Sequence, residues 1–282
     1  MKQRHVTVLG AGVMGSAIAA LAVGHGLPVT LVDVDRAVLD RAGDEVTRHL
    51  RLARLMGALT GTDVGELRTT VELDNVADAD VVVEAVTELA DVKAKVLAEV
   101  SALIGPEALV LTNTSAIPVD ELAGAVAHPE RTVGAHFMNP PYLIKTVEVI
   151  RGPRSSAAAL DVARDFLASM GREVVLVGDG PGFVINRVLQ RMINEAARIA
   201  DEGLATPEEI DLLFTGCLGH RTGPLATADL IGLDNVVDSL RVLRDRTGDQ
   251  GYEPSALLLA KVADGDFGRK TGRGFYEHRG TK

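Results

Sequence analysis

The side chains best suited to chemistry in this sequence are His136 and Glu148, within the stretch VGAHFMNPPYLIKTVEVI from Val133 to Ile150. They stand on two short runs, 132–137 and 146–150, whose Val and Thr content reads as strand. Asn139-Pro140-Pro141 can continue neither run, because proline offers no ladder N–H. A reversal centred near Tyr142 places His136 opposite Glu148 in the folded-back pair. There a carboxylate can hold one ring nitrogen and leave the other toward a substrate, the arrangement an acid/base pair requires. A core histidine beside a rim glutamate is the plainer alternative.

The elements that must position such a pair begin near the N-terminus. His5 to Leu9 reads as a strand and Gly10-Ala11-Gly12-Val13-Met14-Gly15 as a glycine turn. A helix to about His25 and a second strand, Pro28 to Asp33, follow. The three glycines differ in role. Gly10 makes the tight turn, Gly12 lets the backbone approach a pyrophosphate, and Gly15 lets the helix pack closely on the strand. The helix start at Val13 and Met14 turns its unpaired amides and dipole toward the phosphates. Asp33 can accept hydrogen bonds from ribose hydroxyls and repels a 2′-phosphate, which favours NAD over NADP. Alternatively, Asp33 simply forms the turn at the strand end.

Composition limits the remaining options. The chain has 282 residues, 46% of them hydrophobic, 3% aromatic and no Trp. That is long enough for two domains, with a core of Ala, Val and Leu that suits helices packed on parallel strands. A net charge of −10 argues against general nucleic-acid binding. The single cysteine, Cys217, leaves no internal disulfide or Cys-based zinc site, so no metal is expected and a reducing, cytoplasmic setting is. No signal-peptide pattern precedes the first strand, and no apolar run approaches the roughly 20 residues of a membrane helix.

Further along, 36–58 reads as a long helix carrying Arg36, Arg41, Arg48, Arg51 and Arg54. Its basic face is either merely solvated or a contact for a phosphate-bearing substrate arm. Asp80 to Ala85 reads as a buried strand, with Glu88 just past its carboxyl end and Lys93 within reach on the following helix. Ala108 to Thr112 is another strand, and Asn113-Thr114-Ser115 ends it on the same rim, where the triplet can also cap the segment before Pro118. A helix at 156–170 and a strand at 173–177 lead to the break Gly178-Asp179-Gly180-Pro181-Gly182. The expected domains are therefore 1–180 and 181–282. The second has helical periodicity at 183–202, at 207–217, at 224–246 with an interruption at Gly232, and at 253–263. Asn186, near the start of its first helix, is a candidate to face an interdomain cleft.

Seven strings in order, GAGVMGSAIA, EAVTE, NTSAI, AHFMNPP with VEVI, GDGPGFVINR, TGPLATADLIGLD and GRKTGRGFY, resemble the single-function L-3-hydroxyacyl-CoA dehydrogenases, including bacterial 3-hydroxybutyryl-CoA dehydrogenases. The resemblance spans Val6 to Tyr276. It implies an α/β fold: a Rossmann-like NAD-binding domain with a mostly parallel sheet, followed by an all-helical domain through which two subunits dimerise. It also implies His136 as catalytic base, Glu148 as its orienting carboxylate, and Ser115 and Asn186 as substrate contacts. Asn139, Glu88 and Lys93, with Asn113 and Ser115, match positions lining the cofactor and catalytic pocket. The chain departs from the family where HFFNPVP-MKLVEVI becomes HFMNPPYLIKTVEVI, so Tyr142 and Leu143 fall in the loop expected to reach the acyl chain. It also has no lysine between Lys2 and Lys93, where relatives often meet the phosphates of CoA. Arginines can take that part. Equally, the chain is similar to dehydrogenases of polyketide extender-unit pathways, which act on groups such as glyceryl held on an acyl carrier protein. Arg187, Arg191, Arg198, Arg269, Lys270 and Arg273 are the candidate basic surface for that carrier. A free hydroxy-acid or gulonate-like dehydrogenase, or a catalytically silent NAD-binding protein, are the other readings.

Overall fold

A computed structural model describes residues 4–61 and 63–278. Lys2 lies outside them. The packing of Cα atoms divides the chain into two units, the first ending at Gly180 and the second starting at Pro181.

The first unit alternates strand and helix: β1 (Val6–Leu9), α1 (Val13–Gly24), β2 (Val29–Val32), α2 (Arg36–Leu55), β3 (Leu67–Thr70), β4 (Val81–Glu84), α3 (Ala90–Ser101), β5 (Leu109–Thr112) and α4 (Val119–Ala123). It closes with β6 (Thr132–His136), β7 (Thr146–Arg151), α5 (Ala157–Ser169) and β8 (Glu173–Gly178). The strands form one sheet in the order β3-β2-β1-β4-β5-β6-β7-β8. Neighbours are parallel except β6 and β7, so the sheet is mostly parallel, as the glycine turn and the βα alternation predict.

Side-chain alternation along the strands explains the layering. Val81, Val83, Leu109 and Leu111 join a core with α1, α2 and α5, whereas Val82 and Val110 join a second core with Leu97, Val100 and Leu122 of α3 and α4. A strand buried on both faces must be apolar throughout, which is why these segments read as continuous Val/Leu runs. On α2, Leu39, Ala42, Val46, His49 and Ala53 are the buried positions, the three-to-four spacing of a single helical face. The helix starts on Asp35, whose side chain accepts a hydrogen bond from Ala37 N at 2.8 Å.

Sequence reading does not anticipate β3. Its LRTT is polar and only half-buried at the sheet edge, so it lacks the apolar signature of its neighbours. Within Asn113-Thr114-Ser115, Thr114 Oγ1 caps the segment before Pro118 by accepting from Ile117 N at 3.1 Å. The first turn of α4 itself is satisfied by Asp179, whose two carboxylate oxygens accept from Val119 N at 2.9 Å and Asp120 N at 2.8 Å.

The second unit contains α6 (Ile185–Asp201), α7 (Pro207–Leu218), α8 (Pro224–Ile231), α9 (Leu233–Thr247) and α10 (Ala256–Ala263) around a core that includes Ile193, Leu225, Val236, Leu240 and Phe275. The single interrupted helix expected over 224–246 is two helices, because Gly232 adopts φ +101° between them. Nor is the unit wholly helical. After α10 the chain runs through isolated bridges between Gly268 and Arg273 and between Arg273 and Glu277. Buried Asp229 fastens this tail by accepting from Phe275 N at 2.8 Å and Tyr276 N at 2.9 Å. No helix among the described residues is long and apolar enough to cross a membrane.

Candidate active site

In-register pairing of β1, β2, β4, β5 and β6 brings their carboxyl ends to one rim of the sheet: Leu9 pairs with Val32 and Glu84, Glu84 with Thr112, and Thr112 with Gly134. In open α/β sheets this rim is where ligands bind. Because β7 runs antiparallel to β6, it returns Glu148 to the same rim, directly opposite His136.

His136 Nδ1 lies 3.0 Å from Glu148 Oε2, and the two residues are 5% and 4% exposed. An ionised carboxylate only accepts hydrogen bonds, so it favours the tautomer with the proton on Nδ1. That makes Nε2 the ring nitrogen able to take up a proton. The register inferred from the two apolar runs is the register observed.

The glycine turn has the geometry a dinucleotide needs. Gly10 has φ +93°, and a Cβ there would sit 2.6 Å from Ala85 O; a Cβ on Gly15 would sit 1.7 Å from Gly10 O. Neither position admits a side chain. At Gly12 the opposite holds, with nothing within 4 Å of where a Cβ would be, so that face of the turn is open. Gly12 is also the N-cap of α1 and supplies no side-chain cap, and Val13 next to it is 69% exposed. Met14 is half-buried on the same turn. An open backbone at an uncapped helix N-terminus fits a pyrophosphate.

Asp33 follows β2 and accepts from Ala11 N at 2.8 Å through Oδ2 and from Asp35 N at 3.0 Å through Oδ1. It is therefore a turn-former that braces the glycine turn. Each oxygen retains a second lone pair, so holding the turn and accepting ribose hydroxyls are compatible.

A buried charge network supports the rim between these two parts. Glu84, at the end of β4, accepts from Val86 N at 2.8 Å and Lys93 Nζ at 2.7 Å through Oε1, and from Thr112 Oγ1 at 2.7 Å through Oε2. Lys93 Nζ also meets Val86 O at 3.2 Å and Glu88 Oε2 at 3.1 Å, and the residue is 1% exposed. Its ammonium thus spends its three donors on this chain, so Lys93 supports the pocket from beneath. Glu88 Oε1 in turn accepts from Thr114 Oγ1, from Ser115 N at 2.7 Å and from Ala116 N at 3.1 Å. Desolvation by the surrounding rim works to raise the Glu88 pKa, but the side chain is 40% exposed, and the Lys93 charge with these hydrogen bonds holds the carboxyl below its ordinary range.

Asn113 completes the connection, since its Oδ1 accepts from Phe137 N at 2.9 Å, the amide next to His136. Ser115 and Asn113 are thereby fixed on the rim beside the histidine strand. Asn139 lies exposed in the 137–145 loop between β6 and β7. Asn186 is in the first turn of α6, in the second unit. Glu84 and Thr112 are the residues sequence reading missed, although an acid ending the apolar run VVVE was a usable signal. Within the loop that carries Leu143, Tyr142 is 5% exposed and packs on His49 of α2, with ring centroids 5.4 Å apart.

Between α1 and α2 lies a cavity of about 320 Å³ lined in part by Gly12, Ser16, Arg41, Glu45, Arg48 and His49. Two arginines of the α2 series therefore reach a concave surface beside the glycine turn. Arg48 pairs with Glu45, and four of the residues considered for a carrier surface are paired in the same way. Arg191 pairs with Asp249 at 2.8 Å, Arg198 with Glu195 at 3.5 Å and Arg273 with Asp266 at 2.7 Å, and Lys270 contacts Asp234.

Residues 5–180 match the family model for the 3-hydroxyacyl-CoA dehydrogenase NAD-binding domain, and 182–278 match that for the 3-hydroxyacyl-CoA dehydrogenase C-terminal domain. A 3-hydroxybutyryl-CoA dehydrogenase of Bradyrhizobium diazoefficiens is 39% identical over 285 residues, covering 99% of this chain and 97% of the relative. The crystal structure of (S)-3-hydroxybutyryl-CoA dehydrogenase from Ralstonia eutropha is 36% identical and superposes with a TM-score of 0.91, covering 99% of this chain and 100% of that one. A more divergent relative, the 5-formyl-3-hydroxy-2-methylpyridine 4-carboxylate 5-dehydrogenase of Mesorhizobium japonicum, is 33% identical over 97% of this chain and 90% of its own. The sheet order, the glycine turn and these full-length matches agree: the chain belongs to the 3-hydroxyacyl-CoA dehydrogenase family and is an NAD-binding oxidoreductase acting on CH–OH groups.

Proposed function

We propose that this protein interconverts a 3-hydroxyacyl-CoA and its 3-ketoacyl-CoA, with His136 as the acid/base and Glu148 as its orienting partner. The observation that carries the reading is the 3.0 Å His136–Glu148 contact on the rim that also bears the glycine turn. Bound NAD supplies the hydride acceptor. In the oxidising direction His136 Nε2 takes the hydroxyl proton, and in the reducing direction it returns that proton to the alkoxide oxygen. Glu148 keeps Nδ1 protonated and stabilises the imidazolium once Nε2 has gained its proton. Ser115 and Asn186 contact the substrate, and Asn139, Glu88 and Asn113 shape the nicotinamide end of the pocket.

Asp33 binds the adenosine ribose in this reading. Asp33→Ala is expected to weaken NAD by about 10–100-fold, the worth of hydrogen bonds to a charged acceptor, while affecting NADP less. Equal losses for the two cofactors, or an unchanged NAD affinity, refute the ribose assignment.

One observation favours CoA over a carrier protein: Arg41 and Arg48 line a cavity beside the glycine turn, although Arg48 also pairs there with Glu45. The deciding measurement is NADH consumption with acetoacetyl-CoA beside the same acyl group on an acyl carrier protein, at matched low concentrations. Efficient use of the CoA ester is the expected result. Preference for the carrier protein would place the chain in extender-unit biosynthesis, and activity confined to a free hydroxy acid would remove the thioester altogether. The protein works in the cytoplasm as a homodimer joined through its second unit, where Leu212, Leu213 and Leu218 of α7 are 68%, 57% and 64% exposed. Sedimentation at micromolar concentration gives the dimer directly.

A further inference from the structure

Arg172 lies in the turn between α5 and β8 and is 6% exposed. Its Nη1 donates to Pro141 O at 2.7 Å and to Ile144 O at 3.2 Å, and its Nε donates to Met170 O at 3.0 Å. Among the described residues no carboxylate pairs with it. A buried cation ordinarily recruits an acid. Here the charge is met by carbonyl dipoles, two of them in the loop that joins β6 to β7. Burial lowers the guanidinium pKa, yet arginine titrates so high that the charge remains.

The ends of that loop carry the proposed acid/base pair, with His136 ending β6 and Glu148 near the start of β7. Its middle is gripped from two sides. Tyr142 Oη lies 3.4 Å from His49 Nδ1 on one side, and Arg172 holds the carbonyls flanking Tyr142 on the other. Immediately after Arg172, Glu173 N donates to Lys145 O at 2.9 Å, and β8 then pairs along β7 from Thr146 onward. The guanidinium therefore acts where the loop re-enters the sheet. A single nitrogen, Nη1, joins the two loop carbonyls, and the rigid guanidinium plane is anchored at its other side by Nε on Met170 O, an anchor a lysine ammonium lacks.

We infer that Arg172 is a positioning residue for the reaction: by fixing the Pro141 and Ile144 carbonyls it sets the placement of Glu148 against His136. The inference rests on the acid/base reading of His136 and Glu148, and its test has a readout independent of turnover. That readout is the proton resonance of His136 Nδ1–H, identified by its absence from the spectrum of His136→Gln.

Arg172→Met and Arg172→Lys, made in the full chain, are to be compared for this resonance, for steady-state kinetics with acetoacetyl-CoA and for NADH binding. Arg172→Met is expected to lower kcat by roughly 10- to 100-fold, the scale of a displaced catalytic group. NADH affinity should hold and the His136 resonance should move. Arg172→Lys should fall between Met and wild type on both counts. An unmoved resonance in folded Arg172→Met overturns the proposal whatever the rate does, and so does wild-type kcat. Should Arg172→Met fail to fold, Arg172→Lys decides: a moved resonance with reduced kcat supports the inference, and wild-type behaviour overturns it. If His136→Gln keeps full turnover, the acid/base reading fails, while the resonance still reports whether Arg172 sets the geometry of the pair.

Discussion

Replacing His136 with glutamine is expected to lower kcat by roughly 10²–10⁴-fold, the range a positioned general base contributes. Glutamine is the informative choice because its amide N–H can still donate to the buried Glu148 carboxylate. Alanine would remove the base and also withdraw this donor from Glu148, which is 4% exposed, so instability and lost chemistry would be confounded. NADH binding should survive in His136→Gln, because the glycine turn and Asp33 hold the dinucleotide at β1 and β2. Glu148→Gln should also slow turnover, by losing the tautomer preference and the imidazolium's counter-charge. The double substitution should be little worse than His136→Gln alone, since the carboxylate acts through the ring and groups that act as a unit are non-additive. Turnover in His136→Gln equal to wild type, measured by NADH oxidation at saturating ketoacyl thioester, would falsify the assignment.

The hairpin was legible because its information is local. Two β-rich runs flank a Pro-Pro break, and antiparallel pairing leaves a single parameter, the register, to be chosen. Reversal near Tyr142 yields the observed pairing of His136 with Glu148. The glycine turn was legible because its motif lies within one βα unit and Gly15 is dictated by contact with Gly10, although the backbone that excludes a side chain at Gly10 is that of Ala85, after β4. The packing of Tyr142 was not legible, because its partner, His49, is 93 positions away in the chain. In a loop beside the histidine strand, an aromatic side chain reads equally as a substrate contact or as core, and only the folded α2 decides. β3 escaped notice because an edge strand need not be apolar, and periodicity detects only burial.

The least legible part of the site is the support beneath it. Thr112, Glu84, Lys93 and Arg172 come from different strands, turns and a helix, and each looks ordinary alone. Arg172 resembles any charged residue at a helix exit until the loop it holds is seen. Sequence reading placed Lys93 at the pocket, whereas its Nζ has acceptors on Glu84, Val86 and Glu88.

That network makes a second large effect predictable. Lys93→Met should destabilise the fold by about 3–5 kcal/mol, the usual consequence of removing one partner from a buried ion pair. The loss arises because Glu84, fully buried, is left without its cation, which disturbs its contacts to Thr112 and Val86. Glu84→Gln combined with Lys93→Met should recover much of the stability. The glutamine carbonyl can still accept from Val86 N, its amide can turn toward Thr112 Oγ1, and methionine fills the volume of the lysine stem. Function should not recover in parallel. In the double variant Glu88 has lost the ammonium that, together with its hydrogen bonds, offset its desolvation, so its grip on Ser115 N and Ala116 N slackens and the rim beside His136 is no longer fixed. Urea unfolding with NADH titration and turnover on the same samples separates the two contributions. Recovery of stability with NADH affinity or kcat still reduced identifies the buried pair as a device for placing the rim. Full recovery of all three would show that Lys93 matters only to the fold.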